Sequence, residues 1–267
     1  MKKKVSPLSA PTANGIQEVR LPSWRRFYPY VTQRLSNPQE YIFRGQRMSS
    51  WRLESSLDRA IKALGPRVNS ARIMARHLEQ FQLAARARRG ANPQLLDEQG
   101  RWALGQHYGL WTPLLDWTES PFVALYFAFE EPNRIQNGMR AVFALSRPLV
   151  ELRCENITKS QPSDSPARPD ILEFITPKTD ENARLVSQGG LFTRGTTGVG
   201  IEKWVGRHFN GDTVNRALIK IVVPEKPRDR FEVLRTLNRM NINHRSLFPD
   251  VEGSAKFCNM RLSVPDY

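Results

Sequence analysis

The sequence predicts an α+β fold: a single domain with a mixed or split β-sheet flanked by helices. Three observations carry this reading. Four short runs, "YIFRGQ" (41–46), "RAVFALS" (140–146), "ILEFITP" (171–177) and "ALIKIVVP" (217–224), have the length and β-branched or aromatic content of strands. Stretches of helical periodicity lie between and after them. No internal repeat or compositional break divides the 267 residues, and 40% hydrophobic content is enough for one sizeable core. The expected division is a flexible basic tail over 1–20 and one domain over 21–267.

In chain order, "SWRRFYPYVTQRL" offers Ser23 as N-cap and Trp24, Phe27, Tyr28 and Val31 at helical spacing. "YIFRGQ" follows as a strand ending at Gly45. Side chains alternate along a strand, so Arg44 shares a face with Ile42, opposite Tyr41 and Phe43. A guanidinium on a covered face needs acceptors, either an internal carboxylate or an anionic ligand. "SARIMARHLEQFQLAARARR" is amphipathic, with Met74, Leu78, Phe81 and Ala85 as its stripe and five arginines along the edge. Such a charge run is either a solvated face or a basic groove. "DEQGRWALGQHYG" predicts a helix stopping near Gly109.

"DWTES" (116–120) then precedes the apolar run Phe122–Phe129, which predicts a helix buried on every side. Thr118 is placed as its N-cap, with Pro121 harmless in the first turn. Tyr126 is expected in the core with its hydroxyl satisfied locally. "KSQPSDSPARP" reads as a mobile loop, "KPRDRFEVLRTLNRMNI" as a helix, and "HRSLFPDVEGSAKF" as a loop entering a short last helix.

Formal charge is +14, with 40 Lys plus Arg against 26 Asp plus Glu. That field favours polyanionic partners such as nucleic acid or nucleotides, and equally serves solubility. Cys154 and Cys258 have no disulfide-framework or metal-like spacing, so no metal site is expected. The basic start lacks a signal peptide's apolar stretch and no run is long enough to span a membrane, which points to a cytoplasmic chain without membrane contact. "TRGTTGVG" lacks the lysine and helix of a phosphate loop.

Four blocks in order resemble the FRG domain family, named after its Phe-Arg-Gly stretch: "YIFRGQRMSSWRLESSLDRA", "GQHYGLWTPLLDWTESPFVALYFA", "ARLVSQGGLFT" and "SLFPDVEG". The resemblance runs from about residue 40 to 255. Phe43, Arg44, Gly45 and Gln46 match the naming motif; Gln106, His107, Tyr108 and Gly109 lead the second block; Arg184, Gln188, Gly190 and Phe192 form the third. Trp111-Thr112-Pro113 departs from the family pattern, which places a proline and then a basic residue after the threonine.

The block order is also similar to the ADP-ribosyltransferase plan. That similarity implies an ADP-ribosyltransferase-like fold and NAD as the nucleotide used. It also implies a toxin or defence effector modifying a nucleic acid or protein. Arg44 takes the first role, Thr118, Ser120 and Tyr126 the second, and Gln188 or a nearby Glu the third. Arg44, His107, Asp116 and Gln188 are then the candidate catalytic residues. Gly45, Gln46, Thr118, Ser120, Tyr126 and Arg184 are the candidate cofactor contacts. Gly45 lets backbone approach a ligand, and Thr118 and Ser120 lie at a helix N-terminus that favours phosphate. Gln188 is neutral and cannot act as a base. His107 with Asp116 is either an acid–base pair or a structural tie. Two alternatives stand beside this reading: a nucleic-acid-binding or nuclease module, and a non-catalytic nucleotide-sensing domain.

Overall fold

A computed structural model of the chain describes residues 8–35, 37, 40–89, 95–133, 138–162, 168–176 and 187–267. Its strands are β1 (Leu8–Ser9), β2 (Ile16–Arg20), β3 (Tyr41–Gln46), β4 (Leu114–Thr118), β5 (Met139–Ser146), β6 (Glu173–Ile175), β7 (Gly190–Arg194) and β8 (Leu218–Pro224). They form one mixed sheet in the order β1-β2-β8-β5-β3-β4-β7-β6. β2 runs parallel to β8, and the other neighbours are antiparallel.

Pairing is uneven along the sheet. β3 is zipped to β5 from Tyr41↔Ser146 to Gln46↔Ala141, but it meets β4 at the single pair Phe43↔Thr118. Beyond that pair the strands part, and the sheet divides into β1-β2-β8-β5-β3 and β4-β7-β6. The expectation of a mixed or split sheet holds in both senses.

The helices are α1 (Phe27–Arg34), α2 (Ser56–Ala63), α3 (Ser70–Ala84), α4 (Glu98–His107), α5 (Pro121–Phe129) and α6 (Arg147–Ser160). Beyond these come α7 (Ile201–His208), α8 (Asp229–Arg239), α9 (His244–Leu247) and α10 (Val251–Ser263). Strand alternation sorts them. Tyr41 and Phe43 join the core built with α1, α5 and α8, while Ile42 joins the core built with α6 and α7. A third cluster packs α2, α3 and α4 on Leu114 and Phe192.

α5 is covered over most of its surface: Ala124, Tyr126, Ala128 and Phe129 are fully buried, and Phe122 and Phe127 are half-buried. It lies so close to β3 that a Cβ built on Gly45 would sit 1.8 Å from the Ala124 carbonyl oxygen and 2.7 Å from the Ala128 nitrogen. Its C-terminal carbonyls are held by two arginines. Arg140 donates to Ala128 and Glu131 while chelating Glu225 at 2.9 and 2.7 Å. Arg230 donates to Phe129 and Glu130. Cations at a helix C-terminus meet the negative end of the dipole, and orphan carbonyls there need donors.

Several expectations are corrected. Residues 8–20, read as tail, supply β1 and β2; Val19 is fully buried, because β2 pairs along the free edge of β8. Thr118 ends β4, and Ser120 caps α5 by accepting from the Val123 N–H at 3.3 Å. Tyr30 takes the core place expected of Tyr28, which is exposed. α6 and α7 were not foreseen, nor was the full length of α10. Cys154 and Cys258 are free thiols.

Candidate functional site

A cleft of about 980 Å³ opens where β3 and β4 part, within the size range of small-molecule sites. Phe43, Arg44, Gly45 and Gln46 of β3 line it, and so do Asp116, Trp117 and Thr118 of β4. The segment after β3 adds Arg47, Trp51 and Arg52, α2 adds Arg59, and the C-terminal end of α5 adds Phe127, Glu130 and Glu131. Gln188 and Phe248 close the far side.

Arg44 spans the gap between the strands. Its Nη1 donates to the Asp116 carbonyl oxygen at 2.7 Å and to Asp116 Oδ2 at 3.3 Å. The acceptor is therefore partly an internal carboxylate, one of the two alternatives that the strand pattern left open. Asp116 is oriented from behind: Gln106 Nε2 donates to Oδ1, Thr112 Oγ1 donates to Gln106 Oε1, and the Thr112 N–H donates to Ser56 Oγ at 3.0 Å. Gln106, not the adjacent His107, is thus the α4 side chain bonded to Asp116. His107 packs its ring edge-on against Tyr108 and is not among the cleft-lining residues. Asp116 is 57% exposed at its side chain, so its pairing with Arg44 is worth little as stability. Asp116→Asn is expected to cost less than about 1 kcal/mol, read as a thermal-melt shift of a few degrees at most. A larger loss would make the aspartate a structural tie.

Two side chains of β3 leave polar atoms unspent. Arg44 Nε and Gln46 Oε1 are buried without a hydrogen-bond partner among the described residues, although Gln46 Nε2 donates to the Arg52 carbonyl at 3.2 Å. Buried donors and acceptors are nearly always satisfied, so these two atoms on one face of β3 are open hydrogen-bonding positions of the cleft. Residues two apart on a strand stand about 7 Å apart on one face.

The other candidates are placed as follows. Thr118 lines the cleft, but its hydroxyl donates to the Gln188 carbonyl at 2.6 Å and accepts from the Ser120 N–H at 3.1 Å. Gln188 lines it too, with Nε2 donating to the Leu247 carbonyl at 3.1 Å. Ser120 is the α5 cap and lies outside the lining, so the expected phosphate seat at that N-terminus is not a cleft wall. The opposite end of α5 is. Tyr126 is fully buried among core rings, as a core tyrosine and not a cofactor contact; burial raises its phenol pKa. Gly45 lines the cleft, yet the approach that needs a glycine there is that of α5. Arg184 lies outside the described residues. The Gly198 N–H of the glycine-rich loop donates to Asp58 Oδ1 at 2.8 Å, which ties that loop to α2.

Residues 39–137 match the FRG domain. The chain carries an FRG domain in that segment. Searches of curated proteins and of solved structures found no match. The FRG match runs from just before β3 to just beyond α5, so it contains Arg44, Gln46, Gln106, Asp116 and the whole of α5. The third and fourth blocks, with Gln188 and Phe248, lie beyond it and complete the far side of the cleft.

Within the FRG segment the residue that sequence reasoning missed is Glu130. It lines the cleft, its Oε2 is buried without a partner among the described residues, and burial and the charge of Glu131 push its carboxyl up to about 7. The only signal in the sequence was its place directly after an all-apolar helix. That predicts burial for the residue's backbone but reads as an ordinary polar stop. No helix among the described residues is long and apolar enough to cross a membrane.

Proposed function

We propose that the FRG cleft binds a nucleotide of the NAD type and that the protein breaks the ribose–nicotinamide bond, passing ADP-ribose to an acceptor. The observation that carries this reading is that Arg44 Nε–H and Gln46 Oε1, two residues apart on one strand, both lack a partner among the described residues in a cleft that also holds Arg47, Arg52 and Arg59. Such a ligand offers what these groups need. Its diphosphate accepts from planar guanidinium forks, while its ribose hydroxyls and carboxamide donate to a side-chain carbonyl.

Each residue then has a task. Arg44, pre-aimed by Asp116, holds phosphate or ribose. Gln46 orients a hydroxyl or amide. Gln188 and Thr118 brace the far wall through their mutual bond. Trp51 is 43% exposed at the cleft, with the Arg47 guanidinium 5.1 Å from its ring centroid, and presents a flat apolar surface to a base or nicotinamide ring. Bound NAD would supply the glycosidic bond whose cleavage develops positive charge on the ribose, which the nearby carboxylates stabilise.

The net charge of +14 favours an acidic acceptor macromolecule, and the arginines Arg72, Arg76, Arg86 and Arg88 on and after α3 are exposed to meet one. Titrating NAD into the purified chain by calorimetry, and incubating it with labelled NAD plus protein and nucleic-acid targets, tests the reading. Binding heat, nicotinamide release and label on a target are expected. Absence of binding and of release would overturn it.

A further inference from the structure

Four carboxylates line the cleft: Glu54, Asp116, Glu130 and Glu131. Three are already committed. Glu54 pairs with Lys62 at 2.8 Å, Asp116 with Arg44 and Gln106, and Glu131 with Arg47. Glu130 alone forms no ion pair among the described residues. The cations nearest it are otherwise engaged or held off: Arg230 of α8 spends its guanidinium on the Phe129 and Glu130 carbonyls, and Lys256 of α10 pairs with Glu252 at 2.8 Å. Tyr126 from its own helix and Tyr267 from the C-terminus also face it, along with Glu131. The backbone beneath it is fixed by Arg140 and Arg230, so the side chain stands on a rigid support.

A transfer of ADP-ribose to a hydroxyl or amine acceptor must dispose of one proton. We propose that Glu130 is the group that takes it, an inference that rests on the nucleotide reading of the cleft. The acceptor's bond to hydrogen breaks, and its electron pair forms the new bond to the ribose C1′. The C1′–nitrogen bond breaks with its pair going to the pyridine ring, which leaves neutral. The proton goes to the Glu130 carboxylate and then to water, so no oxidant or reductant is consumed. With a carboxyl titrating at about 7, a usable fraction of Glu130 is ionised at neutral pH, and the base is stronger than an exposed carboxylate.

Glu130→Gln and Glu130→Asp in the full chain, compared with wild type from pH 5 to 8.5, decide the matter. Expected for Glu130→Gln are NAD affinity within about threefold of wild type, a rate of nicotinamide release lower by roughly 10²–10⁴-fold, and loss of the rising limb that wild type shows near pH 7. Glu130→Asp should recover part of the rate. A readout independent of turnover is the melting temperature. The native carboxyl binds its proton more tightly than the unfolded one, so wild-type stability falls as pH rises from about 4.5 to about 7. Glu130→Gln, which has no charge to bury, should melt a few degrees higher than wild type at pH 8 and level with it at the acid end. Failure of wild type to bind NAD overturns the nucleotide reading itself. Binding without nicotinamide release overturns the transfer reading and the role of Glu130 with it, whereas release that Glu130→Gln leaves unchanged in rate and pH profile overturns the role of Glu130 alone. Equal melting of the two proteins at both pH extremes does so as well.

Discussion

Arg44→Ala is expected to bind NAD about 10- to 150-fold more weakly than wild type while remaining folded. The estimate is the worth of hydrogen bonds from a charged donor, roughly 1.5–3 kcal/mol. The fold should survive because Arg44 belongs to no apolar cluster and bridges a gap that water can enter. The bond it makes to the Asp116 carbonyl replaces ladder pairing that β3 and β4 already lack beyond Phe43↔Thr118. Arg44→Lys separates charge from shape. It keeps the positive charge and loses the fork that reaches Asp116 and the ligand at once, so it should fall between wild type and alanine. Calorimetric titration of the two variants, with circular dichroism as the check on folding, gives the answer. An alanine variant that binds NAD like wild type would remove Arg44 from the site.

The neighbouring position has the opposite character. Gly45→Ala should lower stability by about 3 kcal/mol or more, at the upper end of what overpacking costs. In a chain of this size that is a fall of roughly 6–12 °C in melting temperature. The added Cβ would press on helix backbone at 1.8 and 2.7 Å, and a backbone cannot rotate aside as a side chain can. Nor can α5 slide away, because it is buried against β3, β5 and α8 and held at its end by Arg140 and Arg230. A thermal melt is sufficient to check this. A variant melting within a degree or two of wild type would show that α5 is free to shift, and would weaken the claim that it holds Glu130 rigidly. One strand thus carries the two kinds of constraint on its two faces, ligand chemistry at Arg44 and close packing at Gly45.

Much of the local structure was legible because local rules produced it. The alternation in "YIFRGQ" put Arg44 opposite Phe43, and the unbroken apolar run after Pro121 required a helix covered on all sides. The cap at α5 was legible to within two residues: Thr118 and Ser120 are both good cap types, and only the end of β4 decides between them. β4 itself was missed because Asp116 interrupts "LLDWT" with a charge. That charge is tolerated since it stands in the cleft and not in a core.

Site residues divided along the same line. The need of Arg44 for an acceptor followed from its place on a covered strand, while that Asp116 supplies it depends on where β4 lies beside β3. That Gln106 rather than His107 reaches Asp116 depends on how α4 is rotated against β4, which adjacent residues cannot reveal because they point about 100° apart on a helix. Glu130 was invisible for a related reason. Whether a glutamate at a helix end is solvated or buried depends on what other elements lay over it, here residues as distant as Lys256 and Tyr267.

By itself, then, the sequence determined the types of β3, β5, β8, α5 and α8, the faces of β3 and the burial of most of α5, since these depend on residues within a few positions of one another. The tertiary structure alone decided that residues 8–20 close the sheet beside β8, that β3 and β4 part after one pair, and that one carboxylate of four in the resulting cleft has no counter-ion among the described residues. Those outcomes are set by contacts between segments tens to hundreds of residues apart. Their partners are chosen by the competition among whole elements for the same buried surface, and no local preference encodes that choice.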